Sequence, residues 1–250
     1  MDDFTFRLDK KRIGIELGIV AAIYAVLFTI VAIVGDYNAT LAINQWAGTF
    51  PTWYISLVKF YTDYGPYIFG AFGIVCAIPF FFSKKLDRLK SYRPMFLGLL
   101  FGYSVSAFIT GSILKPLVGR TRPYIQYDKP QPPDTTPFNT YGENATGYSF
   151  PSGHATAAFG MTGPLMARLK NWIMKILVYA YAITLALSRP FFGVHYVTDI
   201  LVGSIVGLTC SIGFYLCFEY LASQGKLSDR REKILFGVGL VLVILTIFSG

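Results

Sequence analysis

Long apolar runs separated by short polar ones set the organisation of this chain. Ile13 to Gly35 is apolar apart from Glu16. At ~1.5 Å rise per residue it is long enough to cross a hydrocarbon core of ~30 Å, and long enough to stay as an anchor rather than be cleaved as a signal peptide. Asp36 to Gly65 is mixed, with Trp46, Trp53, Tyr54 and Tyr61 among apolar neighbours. It predicts short amphipathic helices lying at the interface, where aromatic rings prefer to sit. Further spans are predicted over Pro66–Ser83, Pro94–Leu114, Ser152–Ala167, Trp172–Leu187, Val194–Ala222 and Lys233–Ser249. The fourth is rich in Ala and Gly and carries Pro164, a kink signal. The sixth carries Gly203-Ser204-Ile205-Val206-Gly207, a small-xxx-small face for close helix packing. Lys84–Lys90 is a basic turn, and Lys115–Pro151 is a polar, proline-rich loop. There is no internal repeat and no low-complexity segment.

Composition fixes the class. The 250 residues are 54% hydrophobic and 14% charged, too apolar for a soluble domain of this size, so the expectation is an all-α polytopic membrane helix bundle. The net charge of +8 is not gathered into one patch, which argues against nucleic acid as a partner. Cys76, Cys210 and Cys217 lie inside apolar runs, without a CxxC or a ligand-like spacing to histidine, and read as small core residues. Sixteen of the 22 basic residues fall on alternate loops: Arg7–Arg12, Lys84–Arg93, Arg168–Lys175 and Lys226–Lys233. By the positive-inside rule the N-terminus (residues 1–12) is cytoplasmic. The loops over residues 36–65, 115–151 and 188–195 then face outward.

Three polar clusters share that outer surface. The first is Lys115-Pro-Leu-Val-Gly-Arg120-Thr-Arg122-Pro123. The second is Pro151-Ser152-Gly153-His154, where Pro151 keeps the preceding residue out of the helix and Ser152 is a good N-cap. Its free amides and positive dipole end favour an anion, and His154 sits in that first turn. The third runs from Ser188-Arg189 to His195 and Asp199. Both histidines of the chain are in this set. His195 and Asp199 are four apart, one face of a helix. A carboxylate on one ring nitrogen fixes the tautomer, frees the other nitrogen and stabilises the cationic imidazole, which is what a histidine nucleophile needs. Lys115, Arg122 and Arg189, with the helix-start amides at Ser152 and Gly153, would neutralise a tetrahedral oxyanion. Taken singly, each has a plainer reading: a helix-start histidine, an ordinary i,i+4 pair, juxtamembrane charges. Three spacings meeting at one surface weigh against coincidence.

The pattern Lys-x6-Arg-Pro, Pro-Ser-Gly-His, Ser-Arg-x5-His-x3-Asp resembles the type-2 phosphatidic acid phosphatase (PAP2) superfamily, in its membrane branch. It covers residues 115–199, about a third of the chain. The resemblance implies one membrane-embedded domain over residues 1–250. Its six-helix core would span 13–222, with active-site loops 115–151 and 188–195, and residues 233–249 would be an accessory span. It implies that His195 attacks phosphorus to form phosphohistidine, assisted by Asp199. His154 would protonate the leaving oxygen and then help water attack, and Lys115, Arg122, Ser152, Gly153 and Arg189 would hold the phosphate. Arg120 lies inside the first signature but outside its fixed positions. No metal or cofactor is implied, and the clusters lack the carboxylates a metal centre would need. The expected partners are membrane lipids and a lipid phosphate substrate. By resemblance that substrate is a polyprenyl diphosphate such as undecaprenyl diphosphate, phosphatidylglycerol phosphate, phosphatidic acid or a lipid A phosphate, with residues 36–65 and 124–147 setting the choice. Two rival readings are a phosphotransferase that passes the phosphate to a lipid or sugar acceptor, and a non-enzymatic transporter that keeps a phosphate pocket.

Overall fold

A computed structural model describes residues 10–126, 138–143 and 145–249. Most of the expected cytoplasmic N-terminus (1–9) and the middle of the loop expected to set substrate choice (127–137) lie outside the described residues. All regular elements among the described residues are helical. They are α1 (Lys10–Val34), α2 (Asp36–Ala47), α3 (Thr52–Phe82), a 3₁₀ stretch (Lys84–Tyr92), α4 (Arg93–Phe108), a π-helical stretch (Ile109–Leu114), α5 (Lys115–Val118), α6 (Pro123–Gln126), α7 (Gly153–Arg168), α8 (Trp172–Phe191), α9 (Val197–Ser223) and α10 (Asp229–Ser249). Five helical stretches are long and apolar enough to cross a membrane: Lys11–Val34, Thr52–Phe82, Leu89–Gln126, Trp172–Phe191 and Val197–Ser223. The chain is an integral membrane protein.

The centre of the bundle is α7, packed against α9 and α4. Twelve of its sixteen residues are buried, so it is shielded from lipid by its neighbours. The close approach depends on missing side chains. A Cβ on Gly203 would lie 2.5 Å from the Ser152 carbonyl oxygen, and one on Gly207 would run into the Thr156 carbonyl. The small-xxx-small face of α9 therefore meets α7. Gly98 and Gly102 do the same for α4 against Tyr215 and Ser211 of α9. At the end of the bundle away from the polar loops, buried Arg93 ties α4 to α10 through Asp229 (2.7 Å) and Glu232 (2.8 Å). Glu16 of α1 meets Lys175 of α8 at 2.5 Å. An apolar cavity of about 570 Å³ lies between α1 and α9 towards that same end.

Several expectations are corrected. Residues 52–65 are not an interfacial helix: they are the first half of the 31-residue α3, and Pro66 lies in its interior. Proline is favoured at a helix start, and that preference misplaced the boundary. Residues 36–47 do form a short helix, but α2 packs on α8 and α9, with Thr40, Asn44 and Ala47 buried. Cys76 and Cys217 are exposed rather than core residues; in a bilayer the apolar outer face is an equally good place for them. Glu219, inside α9, is buried, with Arg168 3.8 Å away.

Candidate active site

The polar clusters meet at one end of the bundle because four chain reversals bring them there. The π-helical stretch just before Lys115 changes the helical phase at the end of α4. Gly119 then adopts φ 61°, a left-handed conformation open to glycine without strain. That turn sends Arg120 and Arg122 back over the ends of α7 and α9. Ser152 caps α7, its hydroxyl accepting from the Ala155 amide, and its own amide donates to the Asp199 carbonyl at 3.0 Å. The N-termini of α7 and α9 are thus bonded to each other. The end of α8 carries Ser188 and Arg189 within its last turn, so that cluster begins on helix rather than in a loop.

His195 is almost fully buried, two residues before α9 begins. Its relation to Asp199 is therefore not that of two residues on one helix face. The chain turns at Tyr196, Asp199 Oδ2 accepts from the Tyr196 amide at 2.9 Å, and the same oxygen lies 3.4 Å from His195 Nδ1. At that distance the contact is electrostatic rather than a well-formed hydrogen bond. On the other side of the ring, Nε2 lies 3.1 Å from Arg122 Nη1. A guanidinium can only donate, so Nε2 carries the lone pair and the proton sits on Nδ1. Burial holds His195 well below the ordinary histidine value, and the charges of Arg122, Arg189 and Lys115 push it further down. The ring is neutral, with its lone pair turned towards the cations.

Those cations are held to different degrees. Arg122 is locked by main-chain carbonyls: Nε on Gly147 (3.0 Å), Nη1 on Val194 (2.9 Å) and Nη2 on Thr146 (2.7 Å). Arg189 is 2% exposed, and its Nε and Nη1 are buried without a hydrogen-bond partner among the described residues. Buried unsatisfied donors are costly, and here they sit within electrostatic range of Arg122, Lys115, His195 and His154. His154 is half-buried, in the first turn of α7, and the hydrogen-bond acceptor facing its ring is the main chain of Thr62 on α3. Pro66, four residues on, has no N–H to offer the Thr62 carbonyl. All eight residues singled out from sequence are thus gathered at this end: His154, His195, Asp199, Lys115, Arg122, Ser152, Gly153 and Arg189. Tyr196, Phe191 and Phe192 are buried beneath them rather than arranged as a surface belt.

Four further residues enter the site that the sequence reading left out. Glu143 accepts from Arg189 Nη2 at 3.0 Å and from Lys59 Nζ at 2.8 Å. Burial pushes its pKa up, but the Lys59 bond and the Arg189 charge outweigh this, and the net shift is downward. Thr62, on α3, bonds Ser188 through its hydroxyl. Asp36 of α2 accepts from the Thr198 amide at 3.0 Å. Glu143, Lys59 and Asp36 belong to no spacing pattern, and only folding brings them near the cations.

Comparison with known proteins places this geometry. The profile of the PAP2 superfamily matches residues 95–223. A lipid A 4'-phosphatase of Bacteroides thetaiotaomicron is 28% identical over 181 residues, covering 69% of this chain and 76% of that protein. A lipid A 4'-phosphatase of Porphyromonas gingivalis is 27% identical over 159 residues, covering 61% of this chain and 63% of that one. In fold, the crystal structure of Aquifex aeolicus LpxE aligns with a TM-score of 0.51 at 21% identity, over 71% of this chain and 92% of its own.

Proposed function

The chain belongs to the PAP2 superfamily, and from that premise we propose that it removes phosphate from a membrane lipid phosphate by way of a phosphohistidine. The observation that carries this reading is that two buried guanidinium nitrogens of Arg189, unsatisfied among the described residues, lie within electrostatic range of the unprotonated Nε2 of His195. The first pair calls for an anion, and the second is a nucleophile beside it. In the forward step the Nε2 lone pair attacks phosphorus, the bond from phosphorus to the lipid oxygen breaks, and His154 gives that oxygen its proton. The imidazole becomes cationic, and Asp199 next to Nδ1 stabilises it. Water then attacks phosphorus and yields its proton to His154. The P–N bond breaks and leaves inorganic phosphate with neutral His195. Lys115, Arg122, Arg189 and the Gly153 amide hold the phosphoryl oxygens throughout; the Ser152 amide, expected from sequence to join them, is taken by the Asp199 carbonyl, and Ser152 serves as the cap of α7 instead.

Two relatives that carry the name lipid A 4'-phosphatase make a lipid A phosphate the favoured substrate. The candidate site lies at the end of the bundle opposite the basic loops, which favours action at the outer leaflet. Purified protein should release inorganic phosphate from a lipid A bisphosphate faster than from polyprenyl diphosphate, phosphatidylglycerol phosphate or phosphatidic acid, and equally well in EDTA. His195→Ala should lower that release by about a thousand-fold or more while leaving the protein folded. Turnover retained in His195→Ala would remove the nucleophile assignment. Phosphate appearing on an added acceptor lipid rather than in solution would make the protein a phosphotransferase.

A further inference from the structure

Arg120 and Asp36 form a fixed assembly behind the catalytic carboxylate. Arg120 Nη1 donates to Asp199 Oδ1 at 2.9 Å and to Thr198 Oγ1 at 2.7 Å, and Nη2 donates to Asp36 Oδ2 at 2.8 Å. The guanidinium lies flat on the Tyr196 ring, with its carbon 3.6 Å from the ring centroid. Tyr196 is itself pinned through its hydroxyl to Gln126 at 2.7 Å. Asp36 in turn accepts from the Thr198 amide and hydroxyl, and Thr40 accepts from the Val197 amide at 3.1 Å. Helix α2 therefore caps the Val197 and Thr198 amides of the first turn of α9, beside the bond that Asp199 itself makes to the Tyr196 amide.

On the proposed hydrolytic reading, we infer that Arg120 is a positioning residue for the reaction and that Asp36 holds it in place. The guanidinium acts through Asp199. Oδ2 of that carboxylate is shared by the Tyr196 amide and His195 Nδ1, and Oδ1 is taken by Arg120. With both oxygens engaged the carboxylate cannot rotate, so Oδ2 stays aimed at the ring nitrogen that becomes charged when His195 attacks. The same cation opposes protonation of a carboxylate that is completely buried. The groups facing Asp199 are Arg120, the Tyr196 amide, Ser149 and His195. Arg120 is the cation hydrogen-bonded to it. A lysine keeps the charge, but it lacks the planar fork that reaches Asp36 and Asp199 together.

The test compares Arg120→Gln, Arg120→Lys and Asp36→Asn with the intact protein and with His195→Ala. The measurements are kcat and KM for a lipid phosphate, inhibition by orthophosphate and by vanadate, and thermal unfolding. Orthophosphate reports ground-state occupancy of the cradle, and vanadate imitates the five-coordinate transition state. Arg120→Gln should lower kcat about ten- to a hundred-fold and weaken vanadate by a similar factor, with KM and orthophosphate inhibition near their original values. Arg120→Lys should recover part of the loss. Asp36→Asn should cost less and add little once Arg120 is gone. Unchanged kcat in a folded Arg120→Gln variant overturns the inference. So does a loss in which orthophosphate and vanadate weaken together and lysine restores nothing, because that is the mark of a merely structural role. Turnover in His195→Ala overturns the phosphohistidine step instead, and absence of phosphate release by the intact protein overturns the hydrolytic reading, so these failures are distinguishable from failure of the inference.

Discussion

At the residue scale, the proposed chemistry turns on the protonation of His195. A histidine beside a carboxylate is ordinarily held protonated. Here burial and three neighbouring cations oppose that, and its pKa lies well below the ordinary value of about 6.5. Attack requires the unprotonated ring, which a lowered pKa keeps present as the solution is acidified. The acid limb of kcat/KM, which reports the free enzyme, is therefore expected below pH 6.5. A limb centred at or above pH 6.5 that persists with full substrate stability would contradict a depressed His195. The sequence pointed to this residue and to Asp199, but for a reason the structure changes. The spacing suggested two residues on one helix. Instead, Asp199 caps α9 from its third position while His195 stands outside the helix, and the shared oxygen serves both. A spacing of four fits both arrangements, so only the backbone path distinguishes them.

At the element scale, α3 is the least expected part of the fold. As one continuous helix it carries Lys59, Thr62 and Asp63 up to the candidate site. Pro66 in its interior leaves the Thr62 carbonyl without its usual helical donor and available to His154. Pro66→Ala returns an N–H to that position. The helix should be no less stable, since alanine is the better helix former. His154 should lose its partner, so kcat on a lipid phosphate, whose alkoxide is a poor leaving group, should fall several-fold to ten-fold. An aryl phosphate, which leaves without a proton, should be affected less. Equal rates for both substrates in Pro66→Ala and the intact protein would show that the carbonyl does not orient the ring. Proline at position 66 was visible in the sequence, but its effect depends on which carbonyl it deprives and what lies opposite, and α7 supplies that from almost a hundred residues away.

At the scale of the whole molecule, the two ends of the bundle differ in what holds them together. One end is pinned by buried ion pairs between helices, such as Arg93 with Glu232 and Arg168 with Glu219. The other carries the cations of the candidate site, with two nitrogens of Arg189 unsatisfied among the described residues. The distribution of basic loops predicts that the first end faces the cytoplasm. In a background with Cys76, Cys210 and Cys217 replaced, a cysteine at exposed Thr49 should react with an impermeant maleimide on intact cells. One at exposed Gln224 should react only after permeabilisation. The opposite pattern would invert the orientation and place the pocket on the cytoplasmic side.

The sequence by itself determined that this is a membrane helix bundle, because bilayer thickness imposes a length on each apolar run. It also determined which two histidines and which basic residues deserved notice, because those residue types are scarce on that side of the membrane. It foretold the glycine face of α9, since close helix packing leaves few choices of residue. Tertiary structure alone decided that α3 is unbroken through Pro66, that α2 caps α9, and that Asp36, Arg120, Lys59 and Glu143 join the candidate site. The last two rest on a few hydrogen bonds and ion pairs between residues far apart in the chain. Such contacts leave no periodicity in the sequence, and they exist only once the glycine-lined helices have closed on one another.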